Sequence, residues 1–339
     1  MEHNWATLWE HLTDAVPDAP AVVQGHRRRT WAELDDRGAR LAAVLGDAGV
    51  GPGARVAQYL YNAVEYIETY VGTVKARAVP VNVNYRYVDD ELAYLLNDSG
   101  AEALVYHASL ADRVARAAPR AGALRLLLEV DDAEAGADVS RPGVAVPGAV
   151  AYDDALAAVE PAPRLRRSPD DTTILYTGGT TGMPKGVVSR VGPHVGGLKA
   201  AVAPLLGVEP TIAIDEIPAV AARAVADGAQ IRSLPACPLM HGTGMGIGVL
   251  PPMTYGGCIV LLPDRHFDAD ELWATVEREQ ATWTVIVGDP FARPMLQSLR
   301  RAVEAGRPFE TSSLRILGSS GAMFSYEVRQ GLLDLPPRR

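Results

Sequence analysis

Hydrophobic positions in the first hundred residues switch between a helical interval and a short-strand interval. Leu34, Gly38, Leu41, Ala42 and Leu45 recur at helical spacing behind Thr30 and Glu33, which stand three apart as in a capping box, and Gly49 stops the run. The spacing predicts a helix there. Arg55–Leu60 reads as a strand, and Asn62 with Glu65 reads as the cap of a helix running through Ile67, Val71 and Val74. Val79–Val83 returns to strand, Glu91–Leu96 to helix and Leu104–Tyr106 to a short strand. Such alternation predicts an α/β fold, with parallel strands in a sheet covered by helices on both faces.

The rhythm breaks between residues 131 and 170, where Asp131, Asp132, Gly136, Pro142, Gly143, Pro147, Pro161, Pro163 and Pro169 punctuate an alanine-rich stretch. This punctuation divides the chain into an N-terminal α/β subdomain, 1–165, and a second α/β subdomain, 166–339. Strands resume at Thr173–Tyr176, Cys258–Leu262, Thr284–Val287 and Leu314–Leu317, with helices opened by Asp268 and Glu271 and by Pro290. Residues 208–230 carry no signature and read as an insertion. No repeat of fixed period is evident.

Composition narrows the class. A chain of 339 residues, 48% hydrophobic and 22% charged, can bury a full core. Its formal net charge of −9 argues against nucleic acid as a partner, because phosphate backbones select basic surfaces. A polyphosphate ligand would therefore need cationic groups gathered locally. Cys237 and Cys258 form no CxxC pair and sit in apolar stretches, so they read as buried inert thiols, a usage that fits a cytoplasmic protein. No run approaches the length of a membrane span, which leaves only peripheral contact with a bilayer open.

The informative segment is Tyr176-Thr177-Gly178-Gly179-Thr180-Thr181-Gly182-Met183-Pro184-Lys185-Gly186. It places four glycines, three threonines and one lysine within eleven residues, directly after a strand signal. Glycines let backbone N–H groups turn toward an anion, threonine hydroxyls donate to it or ligate a metal, and a lysine offsets its charge. The segment is built like a phosphate cradle. It is not a Walker A loop, since Lys185 stands between Pro184 and Gly186 rather than before Ser or Thr. Likewise, the glycines of 242–248 do not fit GxGxxG, and close helix packing accounts for them.

This segment resembles the phosphate-binding signature of the adenylate-forming superfamily, which includes acyl-CoA synthetases, peptide-synthetase adenylation domains and luciferases. Gly178 stands where the family usually has Ser, a variant similar to that of some bacterial fatty-acyl and steroid-side-chain CoA ligases. Framework segments Trp31-Ala32-Glu33-Leu34, Gly49-Val50-Gly51-Pro52-Gly53, Asn62-Ala63-Val64-Glu65-Tyr66 and Val79-Pro80-Val81-Asn82 carry the resemblance over nearly the whole chain. Leu234-Pro235-Ala236-Cys237-Pro238-Leu239-Met240-His241-Gly242 resembles the family motif whose His lies beside the acyl pocket. Ser319-Ser320-Gly321-Ala322-Met323 resembles the turn lining the adenine site, with two departures.

The resemblance implies two stacked sheets flanked by helices, as in the family's large N-terminal domain. It implies an AMP-forming acyl-CoA ligase of fatty-acid metabolism using ATP, Mg2+ and coenzyme A. The acid, fatty or bulky alicyclic, would be activated to acyl-AMP and passed to CoA. Lys185 and His241 would be catalytic. Thr177, Gly178, Gly179, Thr180, Thr181, Gly182, Lys185, Ser320, Gly321 and Ala322 would bind nucleotide, with Thr177 also on the metal. The family's mobile C-terminal domain, which carries the adenylation Lys, is expected to be absent, since the sequence stops at Leu335-Pro336-Pro337-Arg338-Arg339. Two alternatives stay open: a non-catalytic fragment that binds nucleotide or acyl group, and an adenylation domain of the peptide-synthetase kind. Met245–Met253 reads as core or as the wall of a tunnel. Trp273 and Trp283 read as packing residues, and Asp289 and His266 receive no role.

Overall fold

The computed structural model describes residues 1–132, 144–178 and 183–334. In chain order the N-terminal elements are α1 (Trp5–Ala15), β1 (Pro20–Gln24), β2 (Arg27–Thr30), α2 (Trp31–Asp47), β3 (Arg55–Tyr59), α3 (Val64–Lys75), β4 (Val79–Asn82), α4 (Asp89–Ser99), β5 (Ala101–His107), α5 (Ala111–Ala117), β6 (Leu126–Val130), β7 (Ala149–Ala151) and α6 (Tyr152–Ala157). They are followed by β8 (Thr172–Thr177), β9 (Lys185–Arg190), α7 (Val191–Val202), α8 (Ile217–Ala226), β10 (Arg232–Pro235), α9 (Leu250–Met253), β11 (Cys258–Leu261), α10 (Ala269–Glu279), β12 (Trp283–Ile286), α11 (Asp289–Glu304), β13 (Ile316–Ser319) and α12 (Tyr326–Asp334).

Among these residues the strands form two sheets, ordered β7-β6-β5-β3-β4-β8-β9 and β13-β12-β10-β11-β1-β2. Each is parallel except for one antiparallel edge hairpin, β8–β9 in the first and β1–β2 in the second. Strand residues alternate between cores. Val56 and Val105 join the central core, whereas Ala57, Leu104 and Tyr106 face the opposite side of the same sheet. Val22 and Ile259 likewise point centrally, and Val23 and Val260 outward. Residues from α1, α2 and α3 share the central core with both sheets, which gives a helix–sheet–helix–sheet–helix stack. The expected α/β fold of two stacked, helix-flanked sheets is therefore found.

Local signals fared differently from long-range ones. Thr30 and Glu33 close the expected capping box at α2. Within α2, Gly38 is needed for close approach, since a Cβ there would lie 2.7 Å from Val71 of α3. The Asn62–Glu65 cap is corrected. α3 starts at Val64 behind Ala63 with no side-chain cap. Asn62 instead donates to Cys237 O at 3.0 Å and accepts from Leu239 N at 2.8 Å, while Glu65 pairs with Arg27. Distant partners that are buried and specific outcompete a cap that solvent would partly replace.

Residues 208–230 are corrected as well. They contain α8, which buries Ile217 and Ala221 in the central core and packs against α1. Sheet membership does not follow the division at 165/166, because β1–β2 joins the strands of the second half and β8–β9 those of the first. Cys237 and Cys258 are free and buried, and burial pushes both thiols up to about 12. No described helix is long and apolar enough to cross a membrane.

Candidate active site

The Gly/Thr segment forms the tip of the β8–β9 hairpin. Thr177 and Lys185 are partners across its last rung, and both are exposed. Gly179, Thr180, Thr181 and Gly182 lie outside the described residues. At Gly178 a Cβ would meet nothing within 4 Å, so the site has room for the Ser that the resemblance leads one to expect. α4 steadies both flanks of the tip. Tyr176 donates its hydroxyl to Asp98 at 2.6 Å, and Tyr94 donates to Pro184 O at 3.4 Å. Burial first, and then the bond to Asp98, push the Tyr176 phenol up, which keeps it a neutral donor.

One side chain joins this hairpin to the His241 segment. Asn82, at the end of β4, accepts from Tyr176 N at 2.6 Å and donates to both Tyr176 O at 2.9 Å and Met240 O at 2.6 Å. His241 follows directly and is exposed. Its N–H donates to Pro238 O, and its carbonyl accepts from Met245 N. Partial desolvation of the ring, and secondly the charge of Arg86, lower its pKa and favour the neutral imidazole. Gly244 is required where the chain turns into the helical segment Gly244–Val249, because a Cβ there would lie 2.4 Å from Pro238 O.

The Ser319–Met323 turn is held from below. Gly288, at φ 59°, lets Asp289 N donate to Met323 O at 2.8 Å, and a Cβ on Gly288 would come within 2.3 Å of that oxygen. Asp289 then accepts from Ser325 N and Oγ, and the amide bond first among these holds its carboxyl below the usual range. Ser320, Gly321 and Ala322 are exposed above this anchor, with the Cβ position of Gly321 3.5 Å from Thr243 Oγ1. The turn therefore abuts the segment that follows His241.

The family model that matches this chain, described as AMP-binding enzyme, covers residues 9–338. The chain belongs to this family. It is 38% identical to the medium-chain acyl-CoA ligase Mig of Mycobacterium avium, over 95% of this chain and 58% of the relative. It is 36% identical to a medium/long-chain-fatty-acid–CoA/3-oxocholest-4-en-26-oate–CoA ligase of Mycolicibacterium smegmatis, over 100% of this chain and 59% of that relative. Its fold matches a crystal structure of the anthranilate CoA ligase AuaEII in complex with anthranoyl-AMP, with a TM-score of 0.76, 17% identity, and coverage of 98% of this chain and 57% of the other. The chain thus spans somewhat under two thirds of the length of these relatives.

In this member of the family a cavity of about 210 Å³ opens beside the His241 segment, with Asn82, Leu175, Leu239, Gly242, Met245 and Leu250 in its wall. Met245–Met253 therefore serves both readings, since Met245 and Leu250 line the cavity while Val249 and Met253 belong to the central core. Trp273 and Trp283 are buried packing residues, and His266 lines a separate surface cleft with Arg86 and Arg265. Sequence reasoning missed Asn82, Asp98, Thr243 and Asp289 as site supports. Only Asn82 carried a signal, its place at the end of the Val79–Asn82 framework strand.

Proposed function

We propose that the chain supplies the ATP- and acid-binding part of an AMP-forming acyl-CoA ligase. The observation that carries this is the Asn82 bridge, which ties Tyr176, next to the Gly/Thr segment, to Met240, next to His241, in the wall of a cavity that Leu175, Leu239, Met245 and Leu250 also line. A nucleotide phosphate and an acyl carboxylate held there would lie next to each other. The acid is fatty or bulky alicyclic, in keeping with the substrates named for the two relatives.

In the reaction a carboxylate oxygen bonds to the ATP α-phosphorus, and the bond to pyrophosphate breaks. CoA thiolate then displaces AMP from the acyl-adenylate. Residues of this chain position two anions and offset their charge. Lys185 would offset the phosphate charge, with the hydroxyls of Thr177, Thr180 and Thr181 and the amides of Gly178, Gly179 and Gly182 as the further phosphate-binding groups that the motif assigns. His241 contacts the carboxylate, and the backbone of Ser320, Gly321 and Ala322 lies along the adenine. Among the described residues no group of three His, Cys, Asp or Glu side chains could hold a metal. Mg2+ would enter on the nucleotide with Thr177 Oγ1 as a protein oxygen, since Mg2+ keeps waters and phosphate ligands; bound so, it would neutralise phosphate charge.

ATP-to-pyrophosphate exchange with a panel of fatty and alicyclic acids, run on this chain and on a version extended with any downstream coding sequence and read beside ATP binding, tests the reading. Exchange with at least one acid, and ATP binding weakened in Lys185→Ala, is the expected result. No exchange with any acid, combined with unchanged ATP binding by Lys185→Ala, would overturn it.

A further inference from the structure

The chain has three lysines against 29 arginines, and the fold treats the three unequally. Lys75 is 4% exposed, and its Nζ donates to Glu10 at 2.8 Å and to Asp35 at 2.7 Å. Lys199 is 8% exposed and donates to the carbonyls of Pro210 and Ile212 at 3.0 and 2.5 Å. Both amines are committed to partners inside the fold. Of the three, only Lys185 is exposed, and no hydrogen bond or ion pair holds its side chain among the described residues. Arginine cannot stand in for it chemically, because a guanidinium stays charged whereas a lysine amine can lose its proton and be acylated.

The backbone that carries this amine is held firmly even though the side chain is free. Lys185 pairs with Thr177 across the hairpin, and Gly186 lets β9 pass close to β8, since a Cβ there would come within 2.9 Å of Ile174 and 3.0 Å of the Tyr176 ring. The Tyr176 hydroxyl is in turn fixed by Asp98. A carboxylic–phosphoric mixed anhydride has its carbonyl carbon two bonds from phosphorus. An amine drawn to the phosphate of such a compound is therefore brought up to an electrophilic carbon, and that proximity is worth a large rate factor.

We propose that Lys185 is an acylation site, at which the ε-amine takes the acyl group of an acyl-adenylate or acyl phosphate that no thiol has intercepted. This rests on the reading of the Gly/Thr segment as a phosphate site. The unprotonated amine attacks the carbonyl carbon, and the bond from that carbon to the phosphate oxygen breaks. AMP or phosphate leaves with the electron pair, and the surplus proton on nitrogen passes to water. The product is a neutral amide at residue 185, so the cation is lost in the same step.

The test incubates the 339-residue chain with dodecanoyl-adenylate or with acetyl phosphate, each with and without ATP, and locates acyl groups by peptide mass spectrometry. The N-hydroxysuccinimide ester of acetic acid, an amine reagent that carries no phosphate, is the reference, and the partly exposed α-amine of Met1 is the internal standard. ATP binding is measured alongside by calorimetry. At least one phosphate donor should favour Lys185 over the α-amine about tenfold more than the ester does, and ATP should suppress that preference. Preference with the adenylate alone supports the proposal with the nucleotide-borne intermediate as source, and preference with acetyl phosphate supports it with the anhydride itself as the recognised group. Lys185→Arg, which keeps a cation but no acylable amine, should show only the slow background at the α-amine. ATP binding without any such preference, a preference that ATP leaves intact, or undiminished acylation of Lys185→Arg would overturn the proposal and leave the nucleotide site standing. Failure of ATP to bind would remove the nucleotide-site reading and the proposal with it.

Discussion

Each sheet ends in an antiparallel hairpin, and the two hairpins are finished in opposite ways. In β1–β2 the arginines of the outer strand are all paired: Arg27 with Glu65, Arg28 with Glu279 at 2.7 Å, and Arg29 with Glu68 at 3.1 Å. Those three carboxylates are 0–4% exposed and come from α3 and α10, so the strand is tied to the middle and outer helical layers together. In β8–β9 every residue of the outer strand is exposed, and among the described residues Arg190 pairs with the exposed Asp170. Lys185 forms no ion pair among the described residues. A cation held by a buried carboxylate is committed to the fold, whereas one left at an open tip is available to an anionic ligand. The same supersecondary unit is thus tied down at one edge and left open at the other.

Acid should separate the two edges most. His107, the last residue of β5, is 2% exposed within electrostatic reach of Glu65 and Arg27 of the first hairpin's ion pair, and it accepts from Tyr61 N through Nδ1. Burial, chiefly, lowers its pKa from 6.5 to about 3. Between these values the unfolded chain binds the proton that the folded chain refuses, so stability falls as pH drops through that window. The loss should reach roughly 3–5 kcal/mol by its lower end. Urea midpoints measured across the window should show this slope, and His107→Gln should flatten it. Removing one buried carboxylate comes next. Glu68→Gln leaves Arg29 and Arg37 facing a neutral amide and should cost about 3 kcal/mol in the same assay, since breaking a buried pair strands the partner charge.

The corresponding change at the other hairpin should behave in reverse. Lys185→Ala should leave stability within about 0.5 kcal/mol, yet weaken ATP binding about tenfold or more by calorimetry. A large stability loss there would erase the contrast. The smallest effect belongs to Val188→Thr. Val188 is 62% exposed on the outer strand, so thermal unfolding should shift by no more than about 0.5 kcal/mol.

Legibility in the sequence tracked the range of the interaction. The capping box at Thr30 and Glu33, the caps at Asp268 and seven of the strands are set by neighbours along the chain and were readable to within two or three residues, whereas β1, β2, β6, β7, β9 and β10 carried no signal that was read. Asn62 misled because its partners lie 175 and 177 residues away. Residues 208–230 misled because an alanine-rich amphipathic helix shows little contrast until the surface it covers is known. The Gly/Thr segment announced an anion site by composition, but nothing in it told which other groups would stand beside it.

The sequence alone therefore determined the α/β class, about half of the elements and the family resemblance. These depend on local propensity, on hydrophobic period and on motif residues a few positions apart. Tertiary structure alone decided that β1–β2 and β8–β9 exchange sheets, that Asn82 bridges partners 94 and 158 residues away, and that Leu175, Met245 and Leu250 share one cavity with Gly242. Such pairings are fixed by which buried polar groups and apolar faces can be satisfied at the same time, and no local window contains that condition.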